Sequence, residues 1–318
     1  MKIVELDRNT LGYDIDTNVF ADFGDYEQHD SDTIEKNREY IKDADVIIFN
    51  KAVMNEEMLK DAKNVKLLCV TATGYDNIDL DYAKSRGIGV ANVKAYSTPA
   101  VAQHTFALAL YVLEKISYYD EYVKSGKYSS QSGFCNFDEK YNELEGKTWG
   151  IIGMGNIGRK VAKIASAFGC NVIYYSTTGK NKVDGYEQVS FEDLLSRSDI
   201  LSIHCPLNDS TRGLIDMKAL KKMKSSAILV NVARGPIIID EDLTQALEQG
   251  IIAGAGLDVL TKEPMPADSP LHRIKDSRKL IITPHMAWAS VEARQRCADE
   301  VYLNIKAFLN GENRNRVD

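Results

Sequence analysis

An α/β protein of two domains, each built on a parallel sheet, is what the sequence predicts, and three observations carry that prediction. The chain has 318 residues, and at roughly 100–200 residues per domain this length points to two domains. Short runs rich in β-branched residues alternate with helical patterns along most of the chain, which indicates βαβ units and buried parallel strands. Finally, the run Gly153-Met154-Gly155-Asn156-Ile157-Gly158 follows one such strand and precedes a helical pattern, the context in which a glycine-rich loop belongs to an α/β unit.

The elements follow in order. Strands are expected at residues 2–6, 46–49, 66–70 and 89–91, with polar helix-like stretches at 32–42 and 55–63. Ser97-Thr98-Pro99 reads as a helix start with proline in the first turn. Val101, Ala102, Thr105, Leu108, Ala109, Val112, Leu113 and Ile116 then recur at helical spacing, so a long helix with one broad apolar face should follow. Residues 118–146 turn tyrosine-rich and irregular, which fits either a protein contact or an arm packed within the chain. A second series begins at Thr148, with strands expected at 148–152, 171–175, 200–203, 227–231, 254–259 and 280–283.

Composition narrows the classes of function. The chain is 44% hydrophobic and 27% charged with Gly 21 and Pro 7, ordinary globular usage that argues against collagenous, disordered and membrane proteins. Lys+Arg 39 against Asp+Glu 46 leaves a net charge of -7, so there is no bulk positive field for nucleic acid or an anionic membrane. A small ligand or a protein partner is expected instead. The five cysteines are scattered without a CxxC pair, so neither a disulfide framework nor a metal site is expected. The N-terminal MKIVELDRNT has no apolar core of a signal peptide, and a cytoplasmic protein is the expectation.

The glycine loop is the strongest single motif. Val161, Ile164, Ala165 and Phe168 follow at helical spacing, so a helix should open on the third glycine. In such a loop Gly153 permits the tight turn, Gly155 lets a pyrophosphate approach the backbone, and Gly158 allows close helix–strand packing. The amides at the helix start, around Asn156 and Ile157, would bind phosphate. At the end of the next strand an NAD site carries an Asp or Glu for the ribose hydroxyls; here Ser176 stands there, followed by Thr177, Thr178, Gly179, Lys180, Asn181 and Lys182. Hydroxyls and lysines, with Ser176, Thr177 and Lys180 foremost, suit a 2′-phosphate that a carboxylate would repel. NAD(P) is therefore the expected cofactor, with a preference for NADPH.

Three more segments carry reactive groups where strands should end: Asn231-Val232-Ala233-Arg234-Gly235-Pro236, then Gly256-Leu257-Asp258-Val259 leading to Lys262-Glu263-Pro264, and Ile282-Thr283-Pro284-His285. Ligands of open α/β sheets sit beyond the carboxyl ends of strands, so all three are candidates for one crevice. Taken singly, Arg234 could be a surface cation, Glu263 a turn carboxylate and His285 a core histidine.

HCPLNDSTRGLID, NVARGPIIIDEDLTQAL, GLDVLTKEP and TPHMAWASVEARQR, with TATGYDNIDL and YSTPAVAQHTFALAL, resemble the D-isomer-specific 2-hydroxyacid dehydrogenase family over nearly the whole chain. VAQHTFAL and HMAWASVEARQR are most similar to its glycerate dehydrogenase or hydroxypyruvate reductase branch. The resemblance implies two αβα domains with doubly wound parallel sheets, one Rossmann-like for the cofactor and one flavodoxin-like for the substrate, with the active site in the cleft between them. It places residues 1–98 and 285–318 in a discontinuous substrate domain and 99–284 in the dinucleotide-binding domain. It further implies hydride transfer between a nicotinamide cofactor and a small 2-oxo acid such as hydroxypyruvate or glyoxylate, in a homodimer joined through the tyrosine-rich arm and the helix before it.

The same resemblance implies residue roles. Arg234 would grip the 2-oxo acid, whose carboxylate and carbonyl suit a planar guanidinium. His285 would be the general acid and base, and Glu263 would hydrogen-bond and orient its imidazole. Asp258 would accept from the nicotinamide carboxamide, with Cys205, Pro206 and Ala233 along the cofactor. The amides of Thr73 and Gly74 would hold the substrate carboxylate, and Lys51 and Trp288 would line the substrate end. His104 reads as helix packing. The rival reading is a dinucleotide-sensing interaction protein of the same fold, as the family's C-terminal-binding-protein branch implies; the absence of polar, Pro-rich tails argues against it.

Overall fold

The computed structural model describes residues 1–179 and 182–318, so Lys180 lies outside the described residues. The chain divides into two compact units, Met1–Ser97 with Trp288–Asp318, and Thr98–Ala287.

In the first unit, β1 (Lys2–Glu5), β2 (Asp25–Gln28), β3 (Val46–Phe49), β4 (Leu67–Val70) and β5 (Gly89–Ala91) form a parallel sheet in the order β2-β1-β3-β4-β5. Every residue of β3 and β4 is buried, as parallel strands covered on both faces require. Strand β2 has no counterpart in the sequence reading. Its sequence DYEQ is polar and half-exposed at the sheet edge, so no apolar run marks it. The helix expected over 55–63 is a single turn, Glu56–Leu59, started by the Asn55 side chain accepting from the Met58 amide. The returning helix Val291–Leu309 packs on β4. The last residues cover the free edge of β5, with the Val317 amide donating to Val90 and the Val90 amide donating to the Asp318 carboxylate.

The second unit holds β6 (Thr148–Ile152), β7 (Asn171–Tyr175), β8 (Glu187–Gln188), β9 (Ile200–Ile203), β10 (Ile228–Asn231), β11 (Gly254–Leu257) and β12 (Leu280–Ile282). All are parallel, in the order β12-β11-β10-β9-β6-β7-β8. The strand order reverses direction between β6 and β9, and that switch point is where doubly wound sheets bind ligands. Strand β8, two exposed polar residues at the edge, is again unmarked in the sequence. The helix Thr98–Leu113 packs its apolar face on β10 and β11. The tyrosine-rich segment is more regular than its sequence implies, with helices Ile116–Lys124 and Lys127–Ser130 ahead of irregular chain.

The chain returns to the first unit at Trp288 rather than at residue 285. His285 to Ala287 stay with the second unit because Asp258 holds all three amides, the His285 amide on its carbonyl and the Met286 and Ala287 amides on its carboxylate. Among the described residues, no helix is long and apolar enough to cross a membrane.

Candidate functional site

The glycine loop leaves β6 at the switch point. Gly153 has φ 94, and a Cβ there would fall 2.6 Å from the Cys205 nitrogen, so the loops after β6 and β9 meet backbone to backbone. A Cβ on Gly158 would fall 2.2 Å from the Gly153 carbonyl oxygen; only glycine lets the helix sit so close to the loop. Around Gly155 there is open space where a Cβ would point. The helix runs over Asn156–Ala167 with Gly155 as its N-cap, so it opens before the third glycine and not on it. The reason is that the Arg159 amide already donates to the Gly155 carbonyl, which brings Gly158 into the first turn. No side chain caps this end, so its first amides are left for an acceptor such as phosphate. The residues present fit a dinucleotide.

Strand β7 ends at Tyr175 and delivers Ser176 into a turn closed by the Gly179 amide on the Ser176 carbonyl. Ser176 is buried, Thr177 half-buried and Lys182 exposed. Strand β9 delivers His204, Cys205 and Pro206; burial pushes the Cys205 thiol up to about 11, which leaves it an unreactive thiol packed against the glycine loop.

Asn231, the last residue of β10, is fully buried and shapes the next turn. Its side-chain amide donates to the Arg234 carbonyl at 2.9 Å and its oxygen accepts from the Ala233 amide at 3.0 Å. Arg234 is half-exposed with Nη1 on the Ala233 carbonyl at 2.8 Å, which leaves most of its donors for a ligand. The next residue, Gly235, has no room for a side chain: a Cβ would fall 1.9 Å from the Leu260 carbonyl carbon. That close approach brings the Arg234 turn against the segment that carries Glu263.

Glu263 reaches in two directions. Its Oε1 accepts from the Leu260 amide at 2.9 Å and its Oε2 lies 2.7 Å from His285 Nδ1. With a carboxylate at Nδ1, that nitrogen carries the proton and donates, so proton exchange with a ligand falls to Nε2. His285 has φ 54, a left-handed conformation that a residue with a Cβ adopts only when its surroundings hold it there. Asp258 is 1% exposed and holds it. Its carboxylate accepts from the Met286 amide at 2.9 Å, the Ala287 amide at 2.8 Å and the Thr283 hydroxyl at 2.6 Å.

The other expected residues lie in the first unit. Lys51 is exposed in the turn after β3, where the amides of Asn50, Lys51 and Ala52 all donate to the buried Asp7 carboxylate, at 3.2, 2.8 and 2.8 Å. Thr73 gives its hydroxyl to the Val93 carbonyl at 2.7 Å, and its own carbonyl accepts from the Asn92 side chain at 2.8 Å. Trp288 stands edge-on to Tyr96 with ring centroids 6.3 Å apart. Arg234, Glu263, Asp258 and His285 are thus in one unit with the glycine loop, and Lys51, Thr73, Gly74 and Trp288 are in the other.

Sequence reasoning gave no role to Asp7 or to the Asn231 side chain, which shape two of these turns. Asn231 ends β10 and Asp7 follows β1 after one residue, and an Asx residue at or just past a strand's carboxyl end is the signal that could have found them. Among the described residues, no group of acidic, histidine or cysteine side chains could hold a metal ion.

Known proteins share this sequence and fold. The D-isomer specific 2-hydroxyacid dehydrogenase NAD binding domain matches residues 106–287. The chain is 38% identical to a hydroxypyruvate reductase of Blautia hydrogenotrophica, over 100% of both chains, and 38% identical to a glycerate dehydrogenase of Methylorubrum extorquens, over 100% of this chain and 99% of that one. Among solved structures, an acyclic imino acid reductase in complex with NADPH and D-Arg superposes with a TM-score of 0.89 at 34% identity, covering 100% of both chains. The glycine loop at the switch point, the Glu263–His285 pair and these full-length matches agree: the chain belongs to the D-isomer specific 2-hydroxyacid dehydrogenase family.

Proposed function

We propose that this protein reduces small 2-oxo acids, hydroxypyruvate or glyoxylate among them, to D-2-hydroxy acids, and that it takes NADPH in preference to NADH. The pairing of Glu263 with His285 Nδ1 carries this reading, because it leaves the opposite ring nitrogen to pass a proton to and from a substrate oxygen. The family's hydroxypyruvate reductase and glycerate dehydrogenase members support the substrate class.

The nicotinamide supplies or accepts the hydride, and the protein's residues supply the rest. Arg234 binds the carboxylate and carbonyl oxygens of the 2-oxo acid and draws electron density from the carbonyl carbon. His285 gives a proton to the carbonyl oxygen in reduction and takes it back in oxidation. Glu263 keeps the imidazole oriented through its hydrogen bond at Nδ1. Asp258 and Ala233 would hold the nicotinamide end of the cofactor, Cys205 and Pro206 would flank its adenosine or pyrophosphate side, and Gly153, Gly155, Asn156, Ile157 and Gly158 would hold the phosphates. Ser176 and Thr177 would lie at the ribose 2′ position, and the lack of a carboxylate at the end of β7 supports the NADPH preference. The amides of Thr73 and Gly74 receive the substrate carboxylate; among the described residues neither is spent on another hydrogen bond. Lys51 and Trp288 line the substrate end.

We also place the protein in the cytoplasm as a homodimer. Its five cysteines are all free, and the arm after the helix Ile116–Lys124 exposes Phe134 and Phe137 at 88% and 81%, an apolar surface that a second copy would cover.

A panel of 2-oxo acids assayed by cofactor oxidation, with NADPH and NADH side by side, tests the reading. Turnover of hydroxypyruvate or glyoxylate, faster with NADPH at low cofactor, is expected. Cofactor binding without turnover of any acid would overturn it in favour of a dinucleotide sensor.

A further inference from the structure

His104, on the helix Thr98–Leu113, does more than pack. Its Nε2 lies 2.9 Å from the Thr283 hydroxyl and 3.5 Å from Asp258 Oδ1. The Thr283 hydroxyl is itself 2.6 Å from Asp258 Oδ1. A carboxylate only accepts, so Thr283 spends its one proton on Asp258 and meets His104 as an acceptor. His104 Nε2 therefore carries a proton and donates, and the three side chains form a directed chain from His104 through Thr283 to Asp258.

The end of that chain is the turn that presents His285. Asp258 collects three consecutive amides, those of His285, Met286 and Ala287, and His285 between them is left-handed at φ 54. A strained residue stays in place only while its surroundings over-determine it. The Asp258 side chain can serve that purpose only if it keeps one rotamer, and the Thr283 hydroxyl, itself oriented by His104, fixes which one. The helix that carries His104 is packed through its apolar inner face on β10 and β11, so the anchor is set by an element outside the turn.

We propose that His104 is a positioning residue for His285, acting through Thr283 and Asp258. The inference rests on the reading of His285 as the proton donor and goes beyond it in naming what aims that donor.

His104→Phe keeps the ring volume and loses the donor, whereas His104→Gln keeps a donor amide at similar reach. Two readouts are compared, steady-state kinetics with hydroxypyruvate and the His285 ring cross-peak in histidine-labelled protein at pH 8. With five histidines in the chain, that peak is assigned by its loss in His285→Gln. His104→Phe is expected to lower kcat roughly fivefold to twentyfold, the rate equivalent of one buried hydrogen bond, with KM changed less than about twofold. It should also move the His285 peak. His104→Gln should return both to the parent values. Should His104→Phe fail to fold, Thr283→Val breaks the same chain and carries the same two expectations.

The inference is overturned if His104→Phe matches the parent in both readouts, if kcat falls while the His285 peak stays put, or if His104→Gln is as impaired as His104→Phe, which would mean that ring packing and not the donor matters. If the parent itself reduces no 2-oxo acid, the reading of the activity fails, and the cross-peak comparison still decides the role of His104.

Discussion

Glu263 and His285 come from different loops and meet through one hydrogen bond, Oε2 to Nδ1 at 2.7 Å, while the other carboxylate oxygen is held at 2.9 Å by the Leu260 amide. The carboxylate is thus held by its own loop as well as by the imidazole. Glu263→Gln keeps the shape of this contact and removes its charge. Hydrogen bonds to charged groups contribute about 1.5–3 kcal/mol, and the pair is partly open to solvent, so the lower end applies. A loss of about tenfold in kcat for hydroxypyruvate is expected, with cofactor affinity by fluorescence titration unchanged. A variant as fast as the parent would show that the glutamate is a turn residue and nothing more.

Arg234 tests the substrate end. Its guanidinium keeps one hydrogen bond to the Ala233 carbonyl, and lysine, a point charge, cannot reproduce a planar two-point grip. For Arg234→Lys we expect kcat/KM for the 2-oxo acid to fall about a hundredfold or more, the loss of a charged hydrogen-bond pair. The Kd for NADPH should move less than about twofold. An equal loss in substrate use and cofactor binding would count against the assigned role.

Ser176 tests the cofactor choice. It is buried at the end of β7, where a carboxylate would accept from ribose hydroxyls and repel a 2′-phosphate. Ser176→Asp should therefore raise KM for NADPH and lower it for NADH, reversing the preference by about tenfold or more. A parent enzyme that already prefers NADH would refute the premise.

His204 gives a prediction for stability. Both ring nitrogens are shut off from solvent without a hydrogen-bond partner among the described residues, and burial pushes the ring down to about 3. In the unfolded chain it takes up a proton near pH 6.5. Between about pH 6.5 and pH 3 the unfolded state then binds more protons than the folded state, so this group costs stability as pH falls. The residue keeps some surface, which softens the effect. Compared by urea unfolding, His204→Leu should lose about 2 kcal/mol less than the parent between pH 7 and pH 4.5. Identical losses would show that the ring finds a partner or water on protonation.

How much of this was legible in the sequence depends on what each residue touches. The apolar strands of both sheets show as β-branched runs because both their faces are buried. The polar edge strands Asp25–Gln28 and Glu187–Gln188 bury too little to leave a pattern. Arg234, Glu263 and His285 were legible as polar groups beyond strand ends, and the glycine loop as a tight strand-to-helix turn, since each rests on local chemistry. The contact between Gly235 and Leu260, the grip of Asp258 on three amides and the hydrogen bond from His104 to Thr283 join residues far apart in the chain. No local period records them. For that reason His104, on a helix with a clear apolar face, read as packing alone.

The central claim is that His285 moves the proton, and His285→Gln measures it most directly. Single-substrate kinetics with hydroxypyruvate, paired with a fluorescence titration of NADPH, should show turnover reduced by about a hundredfold to ten-thousandfold with cofactor affinity nearly intact, the loss that follows removal of a general acid. A His285→Gln enzyme that turns over at near the parent rate would contradict the account.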